Sequence, residues 1–254
     1  TRQIQNQPVY AAMIQSVDES VGRITKRLSE LGLDNNTIVI FTSDNGGLST
    51  SEGSPTSNVP LRAGKGWMYE GGIREPLIFR WPGVTKPGAI CSEPVISTDF
   101  YPTFLDVARL PMRPEQHMDG ISLLPLLKGG KLTKRPLFWH YPHYGNQGGA
   151  PGGAVRLGDF KLIEWFEDDS VELFNLSKDV GEKNNLAKSM PEKVLELRTL
   201  MLKWRKSVNA AMPTPNPDHK DSDKPERRKK TTKHSRPGRK PFQVASVDAA
   251  EHDD

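Results

Sequence analysis

The sequence contains one cysteine, Cys91, among 254 residues. No intrachain disulfide is possible, and the lone thiol neither requires nor forbids an extracytoplasmic location. No apolar run approaches the roughly 18 residues that a membrane-spanning helix needs. No charged-then-apolar leader opens the chain. The chain starts at Thr1 inside a polar lead-in rather than at a methionine, which reads as an excised or incomplete chain, so the missing leader carries no weight. Hydrophobic residues make up only 35 %, low for a fully packed chain of this length. The unpacked part is expected at the end. Beyond Met212 aliphatic residues nearly vanish while Pro, Lys, Arg and Asp dominate, so residues 209–254 read as a disordered, charged tail.

A uniform excess of positive charge is also missing. The net charge is +4, but nine Lys/Arg and one Glu fall between Lys224 and Lys240, a local +8. The remainder is therefore mildly acidic, at about −4. The basic run has no interleaved aromatics for stacking on bases, so it predicts no specific nucleic-acid recognition. Two readings stay open for it: a solvated tail, or a segment that contacts polyanions through counterion release.

What is present concentrates in residues 37–82. The apolar run Thr37–Thr42 is long enough for one buried strand and too short for a helix. It changes abruptly to Ser43-Asp44-Asn45-Gly46-Gly47. Further on come Gly64-Lys65-Gly66 and Tyr69-Glu70-Gly71-Gly72-Ile73-Arg74-Glu75-Pro76, and a second apolar run, Leu77–Trp81, closes the stretch. Asp44 and Asn45 stand at the C-terminal end of a strand, where open α/β sheets bind ligands. A carboxylate beside an amide oxygen offers two hard donors suited to Ca²⁺ or Mg²⁺. Asn45-Gly46 is equally a turn signal. Lys65, between two glycines, is either a solvated loop lysine or a point charge for sulfate or phosphate. The spacing is not that of a Walker loop.

The flanking segments read as scaffold. Tyr10, Met13, Val17, Val21, Ile24, Leu28 and Leu31 form one apolar stripe on a helix over 8–31, expected to pack on a core and to end at Gly32. Glu93–Ser97 reads as a short strand, Phe100–Val107 and Ser122–Leu127 as helices, and Asp119-Gly120 as a turn. Cys91 reads as a small apolar side chain in or near the core. Pro136–Tyr141, Ala154–Arg156, Lys161–Trp165 and Val171–Leu176 suggest a small antiparallel sheet. A helix follows over 191–208 whose apolar side is Leu195, Leu197, Leu200, Met201 and Trp204. His140 and His143 flank Tyr141-Pro142; they are either structural or at a cleft rim.

Taken in order, Ser43-Asp44-Asn45-Gly46-Gly47, Pro60–Gly66, Tyr69–Pro76, Arg80-Trp81-Pro82-Gly83, Ser97–Thr103, Leu137–His143, Gly158–Leu162 and Glu172–Leu176 resemble the sulfatases over about residues 8–208. The resemblance implies an α/β chain with the alkaline-phosphatase-like mixed sheet flanked by helices, incomplete here, in residues 1–130. A smaller antiparallel sheet with a C-terminal helix would occupy 131–208. It implies that Asp44 and Asn45 ligand a divalent cation, Ca²⁺ or Mg²⁺, and that Lys65 binds the sulfate and offsets charge on the leaving oxygen. His140 or His143 would line the substrate entrance, the substrate being a sulfated small molecule or glycan. A periplasmic or secreted location is the family expectation.

One departure is large. Sulfatases make a formylglycine from the cysteine of a Cys-x-Pro-x-Arg motif, and Cys91-Ser92-Glu93-Pro94-Val95 does not fit it. The expected attacking group and the other metal ligands would lie upstream, so the chain is expected to be inactive alone. A non-catalytic anion- or glycan-binding remnant, or a phosphodiesterase or phosphonate hydrolase of the same superfamily, are the other readings.

Overall fold

The computed structural model describes residues 3–214, 216 and 217. The basic run and most of the predicted tail lie outside the described residues. Residues 3–213 form one compact unit.

Helix α1 spans Pro8–Glu30. Proline at its first position suits the unbonded first turn. Its end has a physical stop: Gly32 takes φ +68°, and the Gly32 and Leu33 amides donate to the Ser29 and Leu28 carbonyls, which closes the helix in a Schellman arrangement. The expected core packing of its stripe is not found. No residue of α1 is buried, and Met13, Val17 and Ile24 are 61 %, 49 % and 60 % exposed. The helix touches mainly the turn Asp34–Asn36. The periodicity that made the helix legible therefore describes a face without a covering layer among the described residues.

Strands β1 (Val39–Thr42) and β2 (Leu77–Arg80) pair antiparallel, Val39 opposite Arg80 and Thr42 opposite Leu77. The short helix α2, Glu70–Ile73, lies between them in sequence. The strand expected at Glu93–Ser97 is absent: these residues form an irregular connection and a short 3₁₀ turn, Ser97–Asp99. Pro94 cannot donate to a ladder, and the buried Asp99 carboxylate takes the amides of Ile96 and Ile121 instead. Cys91, in the same connection, is exposed rather than near the core. Helices α3 (Phe100–Val107) and α4 (Leu124–Leu127) follow.

The second sheet is a four-stranded meander of β3 (Leu137–Tyr141), β4 (Gly152–Leu157), β5 (Phe160–Trp165) and β6 (Val171–Asn175). Side chains alternate between its faces, and both faces are covered. Val155, Leu162 and Leu173 pack with Leu197 and Met201 of helix α5, Pro191–Ser207. Leu195, expected on that apolar side, is 68 % exposed; α5 is turned so that Leu197, Met201 and Arg205 face the sheet. Ala154, Ile163 and Phe174 pack on the opposite side with Ala63, Met68 and Tyr69. The residues bracketing Lys65 are thus part of the core beneath this sheet. No helix among the described residues is long and apolar enough to cross a membrane.

Candidate active site

Asp44 and Asn45 follow directly on β1. Asp44 is exposed and Asn45 half-buried. The Asn45 amide nitrogen donates to the Gly46 carbonyl at 3.2 Å, which leaves its oxygen as the free acceptor. Among the described residues the Asp44 carboxylate makes no hydrogen bond or ion pair. Its neighbour is Glu75, whose carboxyl is pushed up to about 7, first by burial and second by the Asp44 charge. One Glu75 oxygen is buried without a hydrogen-bond partner. Three oxygen-bearing side chains thus gather at the ends of β1 and α2. No group of three or more His, Cys, Asp or Glu that could hold a metal occurs among the described residues. This chain supplies hard donors that fit Ca²⁺ or Mg²⁺, but fewer than the six or so oxygens such a cation takes.

Lys65 is joined to this loop through its backbone. Its amide donates to the Gly47 carbonyl at 3.2 Å. Its ammonium has no hydrogen bond or ion pair among the described residues. The loop geometry is set by glycines packed against one another. A Cβ on Gly46 would fall 1.8 Å from the Gly71 carbonyl oxygen, and one on Gly72 would fall 2.2 Å from the Trp67 oxygen and 2.6 Å from that of Gly64. Only hydrogen fits in such gaps. The Gly46 amide donates to the Gly72 carbonyl and the Gly71 amide to that of Arg62. The start of α2 is therefore the surface on which both the Asp44–Asn45 loop and the Lys65 loop are laid.

Around this junction several polar side chains are tied to the loops. Asn58 donates from its amide nitrogen to the carbonyls of Gly47 (2.7 Å) and Ala63 (2.9 Å). The buried Ser49 hydroxyl donates to the Ala63 carbonyl at 2.7 Å. The Arg62 guanidinium lies 3.7 Å from the centre of the Tyr69 ring. The Tyr69 hydroxyl donates to Glu172 at 2.6 Å; burial, and then this carboxylate, raise its pKa. The glycine-rich loop after β3 leans on the lysine loop: the Thr50 hydroxyl donates to the Gln147 carbonyl and Trp67 Nε1 donates to Thr50.

The two histidines part company here. His140 Nε2 lies 2.7 Å from the Ala211 carbonyl, and its ring sits against Phe166 and Trp204, so it belongs to the packing of the chain beyond α5. His143 is exposed, edge-on to Tyr141, at the root of the loop that reaches the lysine segment. Sequence reasoning missed Glu70, Lys161 and Glu182, which are buried together beneath α2. Nothing local marks them, because their partners are distant in sequence.

Comparison with known proteins agrees with these motifs. The family profile described as "Sulfatase" matches residues 1–110, and that described as "N-sulphoglucosamine sulphohydrolase, C-terminal" matches residues 63–207. A protein named "Sulfatase" from Formosa agariphila is 40 % identical over 212 residues, 76 % of this chain and 38 % of its own length. Among solved structures, Ps i-CgsB in complex with k-i-k-neocarrahexaose superposes with a TM-score of 0.69 at 31 % identity, covering 80 % of this chain and 44 % of that one. BT4656, in complex with its substrate D-glucosamine-2-N,6-O-disulfate, gives 0.66 at 31 % identity, covering 79 % and 40 %. The present chain thus spans well under half the length of these relatives. The fold is the α/β, alkaline-phosphatase-like one of these neighbours, and with two overlapping family profiles that between them cover Asp44, Asn45 and Lys65, the chain belongs to the sulfatase family.

Proposed function

We propose that this chain forms the C-terminal part of an enzyme that hydrolyses a sulfate monoester on a sugar. The observation that carries this is that Asp44 and Lys65, neither of which has a side-chain hydrogen bond or ion pair among the described residues, stand on two loops joined by the Lys65–Gly47 hydrogen bond. Asp44 and the Asn45 oxygen would hold a divalent cation, Ca²⁺ or Mg²⁺. When bound, such a cation polarises the ester oxygens and supports an anionic nucleophile. Lys65 would bind the sulfate and offset the charge that grows on the leaving oxygen. The exposed His143 would contact the sugar. The attacking group, a formylglycine by family expectation, would come from a part of the enzyme outside this chain. The relatives crystallised with a carrageenan fragment and a sulfated glucosamine favour a glycan substrate. Such polymers are met outside the cytoplasm, so a periplasmic or secreted location is proposed, and the basic run Lys224–Lys240 would contact polyanions through its charge.

The test is turnover of sulfated monosaccharides and of an aryl sulfate, by the full-length enzyme and by residues 1–254 alone, with and without a chelator. Sulfate release by the full-length enzyme, lost on chelation, with none from the isolated chain, is expected. Turnover by the isolated chain refutes the external nucleophile. Phosphodiester or phosphonate hydrolysis in place of sulfate release refutes the sulfatase reading.

A further inference from the structure

Beneath α2 lie three charged side chains that the proposed chemistry does not use. Lys161, on β5, is completely buried. Its ammonium lies 3.0 Å from one oxygen of Glu70 and 2.9 Å from one oxygen of Glu182. The other Glu182 oxygen accepts the backbone N–H of Glu70 at 2.6 Å. The second Glu70 oxygen has Arg74 and Arg156 each at 3.6 Å. Arg62 donates to the Glu182 carbonyl at 2.8 Å. The cluster thus ties the first residue of α2 to β5 and to the chain after β6.

Burying three charges is a poor way to gain stability. Desolvation offsets most of the Coulomb attraction, and a well-packed neutral set is often as stable or more so. Glu182 bears a further cost: its backbone is left-handed, φ +50°, where a side chain adds strain. What directional bonds provide, and apolar contacts do not, is a fixed position for the backbone that carries them. Immediately after Glu70, the Gly71 carbonyl and the Gly72 Cα are what Gly46 packs against, and Gly72 in turn packs against the Gly64 carbonyl.

We infer that Glu70, Lys161 and Glu182 are positioning residues: they hold the Gly71–Gly72 platform, and through it they set the Asp44–Asn45 loop and the Lys65 loop in one fixed relation. The inference rests on the reading that these two loops serve one site, but the measurement below reads loop geometry without turnover, so it can fail while the sulfatase reading stands.

The experiment is amide hydrogen exchange on the 254-residue chain, comparing wild type with Lys161→Met and with the neutral triple variant Glu70→Gln/Lys161→Met/Glu182→Gln. Lys161→Met strands two facing carboxylates and is expected to lower the melting temperature strongly. The triple variant removes the buried charges at nearly constant volume and is expected to melt within a few degrees of wild type. Exchange at the Gly46, Lys65 and Gly71 amides should nonetheless be at least tenfold faster in the triple variant, while β4 and α5 amides keep their wild-type rates. Wild-type exchange at those three amides, or a uniform rise everywhere, overturns the inference. A triple variant that does not fold makes the cluster a folding requirement instead, and overturns it as well.

Discussion

Gly46→Ala adds one methyl group at a very tight backbone contact of the site. The new Cβ would stand 1.8 Å from the Gly71 oxygen, 2.8 Å from the Gly71 carbonyl carbon and 3.1 Å from the Gly72 Cα. All three are backbone atoms, so no side chain can swing aside. Reaching even 3.0 Å from the oxygen requires about 1.2 Å of backbone movement, an overpacking that costs about 1–3 kcal/mol. The same movement breaks the Gly46 N–H to Gly72 carbonyl bond, worth about 1 kcal/mol more. Gly46 does not have a left-handed backbone, so the effect comes from space alone. The expected loss is about 2–4 kcal/mol by urea denaturation of the 254-residue chain. A displacement of about 1 Å beside Asn45 should also cost the full-length enzyme on the order of 100-fold in kcat/KM. Gly22→Ala is the control: it sits mid-α1 with nothing within 4 Å of its would-be Cβ, and alanine there should raise stability by up to about 1 kcal/mol. Equal urea midpoints for Gly46→Ala and wild type would refute the packing argument.

Lys65→Ala in the full-length enzyme should lower kcat/KM by about 10²–10³-fold and leave stability within about 0.5 kcal/mol, since the ammonium makes no hydrogen bond or ion pair among the described residues; paired kinetics and melting curves check this. Glu75 binds its proton more tightly folded than unfolded, its pKa rising from 4.5 to about 7. That contribution is complete below pH 4.5 and is lost as pH rises through about 7. Denaturation at both ends of the window should show a fall of roughly 1 kcal/mol, after allowance for solvent screening, that Glu75→Gln removes. On α5, Leu197→Ala should cost about 2–5 kcal/mol and Leu195→Ala no more than about 0.5 kcal/mol, because Leu197 faces the sheet and Leu195 faces water; urea midpoints decide it.

The second sheet was largely legible in the sequence because each of its strands is a short apolar or aromatic run bounded by turn residues, as at Gly158-Asp159 between β4 and β5. Helix α1 was legible for the opposite reason, a long and regular stripe, yet periodicity reports only that a face is apolar and not what lies against it. Glu93–Ser97 misled because Val95 and Ile96 look strand-like, whereas Pro94 and the demand of Asp99 for backbone donors favour a cap. Asp44, Asn45 and Lys65 stood out through their glycine setting, which has a structural counterpart in the Gly46–Gly71 and Gly64–Gly47 contacts. The cluster beneath them was invisible. Lys161 reads as an ordinary polar residue of a strand, and its carboxylates are 91 and 21 residues away in sequence.

The division of labour in the chain follows from where its surface is buried. The second sheet is covered on both faces, by α5 and by residues 63–69, so it is the part whose stability can be lent to a site. The first pair of strands is not: Phe41 and Ile78 are 40 % and 59 % exposed, and no residue of α1 is buried. Asp44 and Asn45 extend from the weaker part, and Lys65 rests on the stronger. Under the proposed function, Asp44 and Lys65 would have to keep their spacing to well within 1 Å to act on one ester. The glycine contacts at Gly46, Gly64 and Gly72 bridge that difference in rigidity, since backbone packed on backbone leaves no rotamer through which the loops could slacken.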